Sequence, residues 1–193
     1  MSEFSTENQS PAQTVADVIR QRRTIHSFRP ESPPRQIVLD AIESARWAPN
    51  HKHTEPWMFH LLGPETVDAI VALNAELAAK KKGPKAAEAK RRRWSEVPGW
   101  LAVTCAQSDD ALRSEEDYAA CCCAVQNLSL VLWSQGIGLK WSTGDVVRHN
   151  EFYRLLGIDP AERRVVGLFW YGYPEQIPEQ KRKPVEEIIH ELP

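Results

Sequence analysis

With 193 residues, the chain is long enough for one medium domain or two small ones to bury a core without staples. A hydrophobic content of 42% is ordinary for a globular protein, and a net charge of −2 gives no reason to expect a nucleic-acid partner. No run of about 18 apolar residues exists, so no membrane span is expected.

Residues 1–13 are polar and rich in Ser and Gln, without the apolar stretch of a signal peptide, and are expected to form a flexible tail ahead of a single domain over 14–193. Val15, Val18 and Ile19 then fall at helical spacing, in a short helix that ends near Arg22 and Arg23. After Pro33 and Pro34, the residues Ile37, Val38, Ala41, Ile42 and Ala45 form an amphipathic stripe that stops before Pro49. Trp57 to Leu62 reads as a buried strand closed by Gly63-Pro64, and a helix follows with Val67, Ile70, Val71 and Leu77 near one face. The Lys/Arg/Ala-rich stretch 80–94, broken at Gly83-Pro84, is expected to be an exposed, mobile helical excursion, in which Trp94 could act as a lid.

Trp100 to Ala106 is a second strand. Tyr118 to Gln135 is the longest apolar helix, expected to be buried on more than one side, in the centre of the fold or at a subunit interface. Gly136 to Gly138 end it, Leu139 to Thr143 is a short strand, a helix covers 151–156 with Asn150 as a candidate cap, and Val165 to Tyr171 is the last strong strand. The tail 174–193 is rich in proline and charge. Strands separated by helices indicate an α+β fold, a central sheet with helices on its faces.

Three groups of residues could carry chemistry. Arg22, Arg23 and Thr24 place two planar donor forks and a hydroxyl within three residues, which suits a phosphate; taken alone, the pair also suits a helix C-terminus turned to water. The second basic cluster, Lys181, Arg182 and Lys183, would by itself read as a solvated tail. The loop from Asn50 to Glu55 carries His51, Lys52, His53 and Thr54 and could hydrogen-bond a polar ligand or itself; the His-x-His pair is a weak metal signal on an irregular loop, and no metal is expected. Gly136 to Gly144 lies between a helix and a strand, the reverse of a dinucleotide-binding turn, but its backbone and the hydroxyls of Ser142 and Thr143 could meet a ligand. Cys121, Cys122 and Cys123 point about 100° apart on a helix, so they cannot converge on one metal, and the four cysteines form no disulfide framework. A reducing, cytoplasmic location is expected.

The chain resembles the FMN-dependent nitroreductases over most of its length, from about Val15 to His190. The resemblance is carried by RRTIHSF at 22–28, SARWAPN running into HKHTEPW at 44–57, QNLSLVLWSQGIGLKW at 126–141, and VVGLFWYGYP at 165–174 followed by KRKPVEEIIH. Short length and the Asn-His-Lys loop look most like the small bacterial enzymes of the YdjA type.

That resemblance implies a nitroreductase-like fold with a central mixed or antiparallel sheet flanked by helices. It also implies a homodimer with FMN at the interface, where the helix at 118–135 would lie. Arg22, Arg23 and Thr24 would hold the phosphate or ribityl chain, joined by Arg182 and then Lys181 or Lys183. His51, His53 and Glu55 would meet the flavin or ribityl edge, and bonds would come from the region of Trp141, Ser142 and Thr143. The implied activity is NAD(P)H-dependent reduction of nitroaromatics, quinones or related small acceptors: hydride to flavin N5, departure of the nicotinamide, then entry of the acceptor (a ping-pong scheme). No catalytic side chain is expected. A flavin-binding dimer without turnover, or a dehalogenating or flavin-destroying relative, are the competing readings. The chain departs from the commoner pattern at His26, where many relatives carry Lys or Arg near flavin N1, and at His53 and Glu55, where many carry Asn and Gln.

Overall fold

The computed structural model describes residues 15–193, so the tail expected over 1–13 lies outside the described residues. α1 (Val15–Gln21) and α2 (Arg35–Ala45) lead into a 3-10 turn at His51–His53 and the strand β1 (Trp57–Leu61). A helical hairpin follows, α3 (Pro64–Lys82) and α4 (Pro84–Ser95), then β2 (Gly99–Ala106) and the long α5 (Ala111–Ser134). β3 (Gly138–Ser142), a 3-10 turn at Asp145–Arg148, α6 (Asn150–Leu156) and β4 (Arg163–Gly172) complete the regular structure, apart from a 3-10 turn at Val185–Glu187.

The four strands form one sheet in the order β1-β2-β4-β3, and every neighbouring pair is antiparallel. A parallel contact enters at one point, an isolated bridge between Thr24 and Leu139. Side chains alternate across the central strands as the pleat requires. Leu101, Val103, Cys105 and Phe169 join the core formed with α2 and α5, whereas Trp100, Ala102, Leu168 and Trp170 join the core under α3, α4 and α6. Among the described residues no helix is long and apolar enough to cross a membrane.

β4 carries an extra residue, Val166, where the register with β2 shifts between Val103 and Thr104. The Val166 carbonyl accepts the Trp141 indole N–H at 3.1 Å, and the indole packs so close to Gly167 that a Cβ there would collide with it. This contact pins the end of β3, where the sequence places a candidate ligand-binding passage.

Two expectations change. α5 begins at Ala111, not Tyr118; Asp110 caps it by accepting from the backbone N–H of Leu112 and Arg113. Within this chain its buried residues, from Asp117 and Cys121 to Leu128 and Leu132, form one stripe, and Cys123 and Gln126 are exposed on the other side. Finally, Trp94 is not a lid. It is 4% exposed and packs edge-on to Trp170 at 5.0 Å and beside Trp100 at 5.5 Å, anchoring α4 to the sheet. The lysines and arginines of this hairpin face outward as expected, but it is fixed to the core by this cluster of three indoles.

Candidate functional site

After α1, residues 22–28 run along the open edge of β3. The Ile25 N–H donates to Leu139 O at 3.2 Å, and Ile25 is fully buried against Gly138, which has no room for a Cβ. The Arg29 N–H donates to Tyr173 O and the Glu175 N–H to Ser27 O, so the start of the C-terminal arm is laced to the same segment. This arrangement brings Arg182 to the arginine pair, although 160 residues of chain separate them. Arg20, Arg22, Arg23, Gln180 and Arg182 line a small hollow of about 280 Å³ with Ile19.

Arg22 is partly buried there, and its pKa is lowered, first by burial and then by the charges of Arg182 and Arg23. Arg23 donates to the carbonyl oxygens of Arg20 at 2.6 Å and Arg22 at 3.0 Å. Among the described residues, no carboxylate lies within ion-pair distance of Arg22 or Arg182. Guanidinium groups crowded without a counter-charge form a site that an anion would relax. Lys181 and Lys183 do not line this hollow; Lys183 approaches Glu187 at 3.8 Å.

The 50–55 loop is held by a polar clasp. The Asn50 amide donates to Thr54 Oγ1 at 3.0 Å, the Glu55 N–H donates to Asn50 Oδ1 at 2.7 Å, and the Thr54 hydroxyl donates to Asp117 of α5. Asp117 is 3% exposed, with Arg113 at 3.7 Å as its ionic partner. The clasp sustains an unusual backbone: Lys52, His53 and Glu55 have φ of 58°, 51° and 45°. Left-handed conformations at residues with a Cβ cost about 1 kcal/mol or more each and tend to gather at ligand clamps. His53 and Glu55 face a hollow of about 330 Å³ with Trp47 and Trp57, while His51 stands outside it. That hollow and the arginine hollow share no residue within one chain.

His26 joins neither group. Its pKa is lowered, first by partial burial, then by the charges of Lys140 and Arg93, which favours the neutral ring. Trp141 commits its indole N–H to Val166, leaving its backbone and the hydroxyls of Ser142 and Thr143 as what this passage can offer a ligand. A wider concavity, about 820 Å³ between α3, α4 and α6, contains none of the candidate binding residues named from sequence. Sequence reasoning missed Asp117, a carboxylate in a charged stretch whose burial no local pattern shows. It also missed Lys140, a strand lysine whose half-buried place over the Trp170 ring no local pattern shows.

The sequence profile of the Nitroreductase family matches residues 19–173. The chain belongs to the nitroreductase family. YfhC of Bacillus subtilis (strain 168), provisionally named an NAD(P)H nitroreductase, is 33% identical over 183 residues, spanning 92% of this chain and 94% of that one. A nitroreductase-like family protein from Bacillus cereus superposes with a TM-score of 0.84 at 29% identity, covering 96% of this chain and 99% of the other. A nitroreductase-type protein from Desulfovibrio desulfuricans, solved in complex with FMN, shares the fold with a TM-score of 0.71 at 22% identity, over 96% of this chain and 99% of that one.

Proposed function

We propose that this nitroreductase-family chain is an FMN-dependent oxidoreductase that draws electrons from NADH or NADPH and passes them to a small acceptor such as a nitroaromatic or a quinone. The observation that carries the reading is the convergence of Arg22, Arg23 and Arg182 without a carboxylate among them. A phosphate monoester suits such a place, because its charge and its oxygens answer both the repulsion and the free donors. Thr24, exposed beside the pair, adds a hydroxyl, and Lys181 and Lys183 add positive field from the same arm.

When bound, FMN supplies the redox chemistry, accepting hydride equivalents from the nicotinamide and returning electrons to the acceptor. The chain's residues hold and orient it. Arg22, Arg23, Thr24 and Arg182 would fix the phosphate end, and the 142–143 hydroxyls and adjacent backbone the ring. His26 would present a titratable imidazole, with its pKa lowered, near the ring rather than the fixed cation of many relatives. Donor and acceptor would use one site in turn, with protons from solvent, so no side chain is assigned as a general acid or base.

A homodimer accounts for two features that one chain leaves open. The strained loop with His51, His53 and Glu55 would complete the site of a second copy, reading the flavin edge. Apolar side chains of the C-terminal arm are exposed in one protomer, including Ile177 at 61% and Ile188 at 71%, and a second copy would cover them.

Flavin titrations test the phosphate assignment. FMN should bind about 10- to 100-fold more tightly than riboflavin, and Arg22→Ala should remove most of that preference, the loss expected for a charge-assisted contact of about 1.5–3 kcal/mol. Equal affinity of the unmodified protein for the two flavins, or an unaltered preference in the variant, would sink the assignment.

A further inference from the structure

A second cationic hollow, of about 340 Å³, lies between α3, α4 and the end of β3. Lys81 and Lys82 of α3, Lys90 and Arg93 of α4, and Lys140 of β3 line it, against a single carboxylate, Asp145. Lys81 already pairs with Asp145, and among the described residues no carboxylate lies within ion-pair distance of Lys90, Arg93 or Lys140. Lys140 is half-buried, with its ammonium 4.1 Å from the centroid of the Trp170 ring. Two wall residues, Asn74 and Trp170, carry buried N–H donors, Nδ2 and Nε1, that have no hydrogen-bond partner. Surface lysines that merely solvate a helix do not draw a strand lysine inward beside two further cations, at a cost in desolvation. Ser142 and Gly144 form one side of the opening, so the hollow adjoins the passage assigned above to the flavin ring.

We propose that this hollow is an anion subsite in which Lys140, Lys90 and Arg93 bind the carboxylate or phosphate of a small aromatic molecule that the protein uses as electron acceptor or donor. The nearly buried indoles of Trp94 and Trp170 line it, and the orphaned N–H groups belong to two of its lining residues, Asn74 and Trp170. The depressed pKa of Lys140, about 8, is what uncompensated burial beside Arg93 and Lys90 produces, and an anion in the hollow would reverse it. Which molecule carries the anion rests on the oxidoreductase reading; the site itself does not.

Isothermal titration calorimetry of the protein after saturation with FMN separates the outcomes. Benzoate stands for the carboxylate of an acceptor and adenosine 2′-phosphate for the phosphate end of NADPH. Saturable binding of either probe, weakened at least about tenfold by Lys140→Met and by the exposed Arg93→Gln, supports the subsite and names its source. Binding of a probe by protein that retains no FMN leaves the subsite standing while the flavin reading falls. No saturable binding of either probe, or affinities unchanged in both variants, overturns the proposal.

Discussion

Lys140→Met should make the protein more stable at neutral pH. The ammonium is half-buried, and its pKa falls from 10.5 to about 8, chiefly through burial and then through Arg93 and Lys90. At about 1.4 kcal/mol per unit, that drop corresponds to a cost of about 3 kcal/mol for carrying the charge in the folded state, and solvent screening of a half-exposed group reduces it to about 1–2 kcal/mol. The contact with the Trp170 face returns about 0.5–1 kcal/mol. Methionine keeps the stem and the packing, so the variant should gain about 1 kcal/mol at pH 7. The sign follows from proton counts. Between about pH 8 and 10.5 the unfolded chain holds a proton that the folded chain has released, so the native lysine protein becomes more stable as pH rises through that window. The advantage of the variant is therefore full below pH 8 and gone above about pH 10.5. Urea unfolding at a fixed protomer concentration, at pH 7 and at pH 10, measures both values. A variant at least 1 kcal/mol less stable at pH 7, or a difference that does not move with pH, would refute the reasoning.

Removing the clasp of the 50–55 loop should be costly: Thr54→Val keeps the shape but takes the hydroxyl donor from the buried Asp117, and about 2–3 kcal/mol of stability should be lost in urea unfolding at pH 7. A loss below about 0.5 kcal/mol would show that the clasp is incidental. His26 should titrate below the usual imidazole value of 6.5 in an NMR pH series, with its midpoint moving up in Arg93→Gln; a midpoint above 6.5 in the unsubstituted protein would contradict the environment described for it.

The strands were legible because the central ones are short apolar runs bounded by Gly and Pro, and because their composition leaves little alternative to burial. The first two turns of α5 were not, since Ala111 to Asp117 is mostly charged and its helical state rests on the Asp110 cap and on what lies beneath it. Trp94 reads as exposed when judged by its neighbours on α4, and only the sheet, through Trp100 and Trp170, shows why it is buried. The arginine hollow joins residues 22 and 182, a pairing that no local pattern contains and that only the family resemblance implies. The loop conformation was hidden for another reason. Lys52, His53 and Glu55 are not residues that announce a left-handed backbone, and the force that holds them there comes from Asn50, Thr54 and a carboxylate 62 residues beyond Glu55.

The absorption spectrum of the purified protein tests the central claim most directly, recorded before and after anaerobic addition of NADH or NADPH. Flavin bands from retained or added FMN are expected, bleached by at least one nicotinamide and restored by a nitroaromatic or quinone. A protein that neither carries nor takes up FMN would contradict it, as would bound FMN that neither nicotinamide reduces.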